Sequence, residues 1–216
     1  MNANVRNFRN LLVEDISMPR TARFVLEGAP HHITQRGNYK QDVFKDDEDR
    51  CKYLFWINQY AREYGVTILA YCLMPNHVHF VAIPADESSF ANAFKIAHMR
   101  YAQYFNLKNK ISGHLWQGRY YSCALDQPHF LRALRYVELN PVRAGLVKNP
   151  WDWRWSSTLS HLAEESDYLR VNDVFSYVNF QQYSWKEFLL SGCEEDVIEN
   201  IRKASKKKDG NMIRKI

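Results

Sequence analysis

No stretch of this chain approaches the roughly 18 to 20 charge-free apolar residues of a membrane span. The densest apolar run, Val66 to Leu73, has only the length of a strand. The opening residues, Met1 to Asn10, lack the uninterrupted apolar run of about 7 to 15 residues found in a secretory signal. A cytoplasmic protein with no membrane partner is therefore expected. Cysteine is scarce: Cys51, Cys72, Cys123 and Cys193 lie far apart with no C-x-x-C pair, which argues against a zinc ribbon or a thioredoxin-like site. Free structural thiols are the plain reading. With 46% hydrophobic and 25% charged residues in 216, disordered, collagen-like and disulfide-scaffold classes also fall away.

The net charge of +5 permits a nucleic-acid partner without requiring one. Its distribution is uneven, because residues 202–216 hold seven Lys and Arg against one Asp and so carry +6 by themselves. Such a tail can add nonspecific, salt-sensitive DNA affinity.

The expected organisation is an N-terminal extension (1–20), a main domain (21–158) and a C-terminal helical segment with the basic tail (159–216). A strand over His31 to Arg36 leads to a Gly37-Asn38 turn. The acids Asp46 to Asp49 suit the start of a helix over about 48–64, whose apolar residues Leu54, Ile57, Ala61 and Tyr64 recur at helical spacing up to Gly65. Strands follow over Thr67 to Leu73 and His77 to Ile83, separated by a short Met74-Pro75-Asn76 connection, and are expected to pair antiparallel. Phe90, Phe94, Ala97, Tyr101 and Phe105 mark a second helix, and Leu115 to Leu125 reads as a fourth strand. This order is that of a ferredoxin-like α+β sandwich, an antiparallel sheet with both helices on one face. Pro128 opens a third helix, expected to end at Pro141.

His77 and His79 occupy alternate positions of a strand, so their imidazoles project from one face at a separation one divalent ion can bridge. The plain alternative is a chance H-x-H with one ring hydrogen-bonded and the other exposed. On the third helix Phe130, Leu134 and Val137 form the apolar stripe, while Arg132, Tyr136 and Asn140 align at i, i+4 and i+8 on another face. An unperturbed phenol titrates near about 10 and needs help from a nearby cation, base or metal-polarised phosphate to act as a nucleophile. In a chain with 13 tyrosines, however, any one is more often packing than catalytic. Between Arg100 and Tyr121, basic residues interleave with Trp116, Tyr120 and other aromatics, a pattern shared with binders of single-stranded nucleic acid. Gln35, Arg36 and Asn38 add polar groups at a strand end.

Four stretches, Ile33-Thr-Gln-Arg-Gly-Asn38, Ile68-Leu-Ala-Tyr-Cys-Leu-Met-Pro-Asn-His-Val-His79, Leu115-Trp-Gln-Gly-Arg119 and Tyr136-Val-Glu-Leu-Asn-Pro-Val-Arg-Ala-Gly145, together resemble the REP-associated tyrosine transposases. These form a branch of the single-tyrosine insertion-sequence transposases within the HUH endonuclease superfamily. The resemblance covers about residues 20–158. It implies a metal-dependent endonuclease and strand transferase acting on single-stranded or hairpin DNA through a 5′-phosphotyrosine. By this resemblance Tyr136 is the nucleophile, and His77 and His79 ligate Mg²⁺ or Mn²⁺ with Asn140 as a further ligand. Arg36, Gln35, Asn38, Arg119, Trp116 and Arg132 are the expected DNA contacts. A monomer and a homodimer both fit. A replication-initiator nickase, a non-cleaving hairpin DNA or RNA binder on the same fold, and a metalloenzyme acting on small molecules remain the alternatives.

Overall fold

The computed structural model describes residues 25–163, 168–169, 171–177 and 184–191. The expected N-terminal extension and the basic tail lie outside these residues. The elements run β1 (His31–Arg36), α1 (Asp47–Glu63), β2 (Val66–Met74), β3 (His77–Pro84), α2 (Ser89–Asn109), β4 (Tyr121–Ala124) and α3 (Gln127–Arg143), followed by two short helices, α4 (Thr158–His161) and α5 (Trp185–Leu190). The strands form one sheet in the order β2-β3-β1-β4, with every pairing antiparallel. This is the ferredoxin-like arrangement expected from the element order.

Strand alternation divides the apolar residues between two cores. On one face Ile33, Val78, Phe80 and Ala82 meet Tyr53, Leu54 and Ile57 of α1 and Phe90, Phe94 and Tyr101 of α2. On the other, Leu69, Val81 and Ile83 meet Phe130, Leu134 and Val137 of α3 and Trp185 and Leu189 of α5. A register irregularity between Ile68 and Ala70 puts Leu69 and Ala70 both on the α3 side. Each fully buried Leu or Phe contributes about 1.5–3 kcal/mol of transfer free energy. Both faces of the sheet are therefore packed, and α3 lies on the face opposite α1 and α2.

The helix ends follow from local chemistry. The Asp46 carboxylate accepts from the Asp49 amide at 2.9 Å and caps α1, and Gly65, at φ +64, lets the chain turn away beyond its end. Lys108 near the end of α2 reaches Asp46, Glu48 and Asp49 at 2.8–3.1 Å, tying the two helices together where the amide ends of α1 are exposed. Asp126 caps α3 by accepting from the His129 amide at 2.9 Å.

Two expected boundaries differ. α3 does not end at Pro141 but continues to Arg143 with the proline inside it. The missing N–H falls in the last turn, where few intrahelical bonds remain to be lost, and the Leu146 amide still donates to the Pro141 carbonyl at 2.9 Å. Gly145, at φ 70, makes the exit instead. The fourth strand is shorter than Leu115 to Leu125. Gln117, Gly118 and Arg119 are consecutively exposed between buried Trp116 and Tyr120, a pattern that strand alternation cannot produce. That segment instead clamps the end of β1: the Asn38 amide donates to the Leu115 carbonyl and the Gln117 amide to the Arg36 carbonyl, at 2.8 and 2.9 Å.

Candidate functional site

β1 and β3 pair with Arg36 opposite His77 and Thr34 opposite His79. Since Val78 and Phe80 face α1 and α2, His77 and His79 face α3, together with His32, Thr34 and Arg36 from β1. The His77 and His79 rings lie 4.9 Å apart between centroids, nearly perpendicular. Tyr136 descends from α3 with its ring 5.5 Å from His79 and 5.8 Å from His32. The Arg143 guanidinium lies over the Tyr136 ring at 5.0 Å.

Hydrogen bonds fix how the imidazoles present themselves. The Asn76 amide nitrogen donates to the Lys40 carbonyl at 3.1 Å, so its Oδ1 is the atom facing His77 Nδ1 at 2.6 Å. An amide oxygen only accepts, so His77 carries its proton on Nδ1 and keeps the Nε2 lone pair. His79 Nδ1 lies 3.0 Å from His32 Nε2. Among the described residues the buried His79 Nε2 has no hydrogen-bond partner, and neither has the neighbouring Thr34 hydroxyl. Burial lowers the pKa of all three rings. His32 and His77 fall to about 4, His77 helped by the Arg36 charge, and His79 lies well below its usual value, with the other two histidines and two arginines adding to the effect. Neutral imidazoles are what a divalent cation requires of its ligands.

Asn140, one turn after Tyr136, donates through Nδ2 to the Tyr136 carbonyl at 2.9 Å, which leaves its amide oxygen as the available donor atom. Among the described residues no group of three or more His, Cys, Asp or Glu could hold a metal ion. A cation on His77 and His79 would therefore complete its shell with oxygen from an amide, from water or from substrate phosphate, a donor set that suits Mg²⁺ or Mn²⁺. The orphaned His79 Nε2 fits such an ion.

Of the residues expected from the sequence, His77, His79, Tyr136 and Arg36 gather here, and Asn140 lies one turn after Tyr136 on α3. Asn38 is half-buried beside them in the turn after β1, while Arg119 and Arg132 are exposed. Two are committed elsewhere. Gln35 is buried and donates to the Gly118 carbonyl at 3.0 Å. Trp116 is a correction: it packs among Tyr53, His98 and Tyr101 and donates its indole N–H to the His98 carbonyl, so its ring has no free face on which a base could stack. Asn76 and Arg143 had no such expectation attached, and His32 was expected only as one of the polar groups of the His32 to Asn38 segment. The alternation of His32, Thr34 and Arg36 along β1 was the available sign for His32.

An antiparallel sheet in this order, with α3 laid across the face opposite α1 and α2, is a fold shared with a solved transposase. Residues 27–140 match the family model described as "Transposase IS200 like", and the chain belongs to that family. It is 26% identical over 146 residues to a Haemophilus influenzae chain named for the REP-associated tyrosine transposases, covering 58% of this chain and 81% of that one. It is 26% identical over 98 residues to the REP-associated tyrosine transposase of Escherichia coli K12, spanning 44% of this chain and 56% of that protein. Among solved structures, a REP-associated tyrosine transposase bound to a REP hairpin superposes with a TM-score of 0.53 at 20% identity, covering 76% of this chain and 96% of that one. No helix among the described residues is long and apolar enough to cross a membrane.

Proposed function

We propose that this chain is a metal-dependent single-stranded DNA endonuclease and strand transferase that acts near hairpins through a covalent 5′-phosphotyrosine on Tyr136. The observation that carries the reading is the meeting of three groups in one copy: paired neutral imidazoles, a buried His79 Nε2 with no partner among the described residues, and the Tyr136 ring 5.5 Å from His79. Family membership and the hairpin-bound relative support DNA as the substrate.

His77 and His79, with Asn140, would hold Mg²⁺ or Mn²⁺, which when bound supplies Lewis-acid polarisation of a phosphate oxygen. The chain's own residues do the rest. The Tyr136 oxygen attacks the phosphorus, the bond from phosphorus to the 3′ oxygen breaks, and the phenol proton is balanced by the proton gained at the leaving 3′-hydroxyl. Arg143 over the tyrosine ring and Arg36 beside His77 place positive charge around the reacting phosphate. The new tyrosyl phosphodiester conserves the energy of the old one, so a 3′-hydroxyl on another strand can reverse the step and complete transfer. Because the histidines and the tyrosine belong to one copy, a monomer can carry out cleavage.

The test is incubation with labelled single-stranded hairpin oligonucleotides and Mg²⁺ or Mn²⁺, beside Tyr136→Phe and His77→Ala. A protein–DNA adduct absent from both variants is the expected result. An adduct that persists in Tyr136→Phe would overturn the nucleophile. Binding to hairpins with no adduct on any strand would favour a non-cleaving binder.

A further inference from the structure

The loop after β1 holds a feature the proposed reaction does not use. Tyr39 is 93% exposed, and its side chain makes no hydrogen bond or ring contact among the described residues. Its backbone lies at φ 51, ψ 24, and Lys40 follows at φ 60. Consecutive left-handed residues with bulky side chains are unusual, since the Cβ crowds the neighbouring carbonyl, and they persist only where surrounding structure enforces them. Here the enforcement is visible. The Gly37 amide donates to the Asn76 carbonyl, Asn38 to Leu115, Gln41 to Asn38 and Val43 to Pro75, all at 2.8–2.9 Å. None of these bonds uses the tyrosine ring, so the fold does not require an aromatic at this position.

The loop is also wired to the site. One amide, Asn76, donates to the Lys40 carbonyl and accepts from His77 Nδ1. Arg36, the last residue of β1, is exposed three residues before Tyr39, and exposed Lys40 follows it directly, so a cation stands on each side of Tyr39 along the chain.

We propose that the Tyr39 ring, with Lys40 beside it, is a docking platform for one unpaired nucleobase of the DNA strand that enters the site. This rests on the reading of single-stranded DNA as substrate. A rigid, solvent-facing π surface loses little conformational freedom on capturing a base, and stacking tolerates any base because each has a π face. The neighbouring cations suit the phosphates of the same strand. Anchorage through Asn76 to His77 sets the captured base at a fixed distance from the reacting phosphate.

The test uses the full chain in EDTA with a fluorescein-labelled single-stranded oligonucleotide, read by anisotropy, and a 5-iododeoxyuridine strand for photocrosslinking. Tyr39→Ala is expected to weaken binding about 5- to 150-fold, the range for losing one stacked base. Tyr39→Trp should retain affinity. Tyr39→Asn, which relaxes the left-handed backbone but has no ring, should lose affinity even though the loop is better accommodated. Crosslinks should map to Tyr39. Wild-type affinity in both Tyr39→Ala and Tyr39→Asn, with the wild-type protein binding in EDTA and forming adduct in a parallel incubation with Mn²⁺, would overturn this proposal and leave the nuclease reading intact. If the wild-type chain binds no single-stranded DNA, the nuclease reading fails and the platform fails with it.

Discussion

Replacing Glu138 by alanine should release α3, the helix that carries Tyr136, from the C-terminal helices. Glu138 sits two residues after Tyr136, is fully buried, and accepts from Ser157 Oγ at 2.5 Å, His161 Nδ1 at 2.6 Å and Trp185 Nε1 at 2.8 Å. The other nitrogen of His161 meets the Leu69 carbonyl at 2.9 Å, so one carboxylate links α3, α4, α5 and β2. Hydrogen bonds to a charged group are worth about 1.5–3 kcal/mol each, but three sharing one carboxylate do not add. Loss of one partner from a buried, hydrogen-bonded pair costs about 3–5 kcal/mol, because the groups left behind stay dry and unpaired. At about 2–4 °C per kcal/mol for a domain of this size, the midpoint of thermal unfolding should fall by about 6–20 °C. Glu138→Gln should fall by less, since the amide oxygen can keep one donor while its NH₂ opposes another. Differential scanning calorimetry gives the shift, and amide exchange over residues 184–191 should rise in Glu138→Ala as α5 loses its anchor. A midpoint within about 2 °C of wild type, with exchange in α5 unchanged, would refute the assignment of this carboxylate as the anchor.

Four further outcomes follow from the same geometry. His32→Ala removes the group facing His79 Nδ1 and should weaken Mn²⁺ binding about 10- to 100-fold by calorimetric titration, as loss of a ligand's hydrogen-bond partner does elsewhere; unchanged affinity would remove His32 from the site. In EDTA, folding stability should be full above about pH 6.5 and decline toward pH 4, because the unfolded chain binds protons at the ordinary histidine pKa while His32 and His77 resist until about 4. Each contributes about 1–2 kcal/mol of loss at pH 5, and a flat urea midpoint between pH 7 and 5 would contradict the burial of these rings. Gly37→Ala sets a Cβ 2.4 Å from the Gln41 carbonyl oxygen and 2.7 Å from Val43 Cγ1, so the β1 loop must shift; a loss of about 1–3 kcal/mol is expected in urea unfolding, and a neutral result would mean the loop is slack. Arg143→Gln should slow adduct formation about 10-fold or more while leaving metal-free DNA binding within about threefold, and an unchanged single-turnover rate would show that its charge does not reach the reacting phosphate.

The sheet and the three long helices were legible because of local pattern: alternation in β3, three-and-four spacing in α1 and α2, the acids at the start of α1 and the proline at the start of α3. His77 and His79 were legible for the same reason, since alternation alone puts them on one face. His32 was not. Its side of β1 was readable, but its meeting with His79 depends on β1 lying next to β3 in a particular register, which no local pattern records. Trp116 failed in the opposite direction: an aromatic among basic residues reads alike whether it stacks on a base or fills the space between Tyr53 and His98. Tyr136 also sits deeper than the helical wheel implied, at 7% exposure, because Arg143 and two imidazoles cover a ring that the apolar stripe of α3 leaves out.

The continuation of α3 past Pro141 determines what the site can contain. Tyr136, Asn140 and Arg143 stand at i, i+4 and i+7, which on an unbroken helix is a single face. A helix ending at Asn140 would leave Arg143 in a loop with no fixed relation to the tyrosine. A proline in the last turn stiffens the backbone at the residue between Asn140 and Val142, and its absent N–H costs only one bond where the helix is about to stop. Asn140 turns its amide N–H back to the Tyr136 carbonyl, holding together the turn on which Tyr136 sits. That bond uses the amide nitrogen and leaves the Asn140 oxygen unspent by it. Within two turns the helix thus gathers a phenol, an amide oxygen and a guanidinium, while Glu138, on another face of those turns, fixes their depth over the sheet.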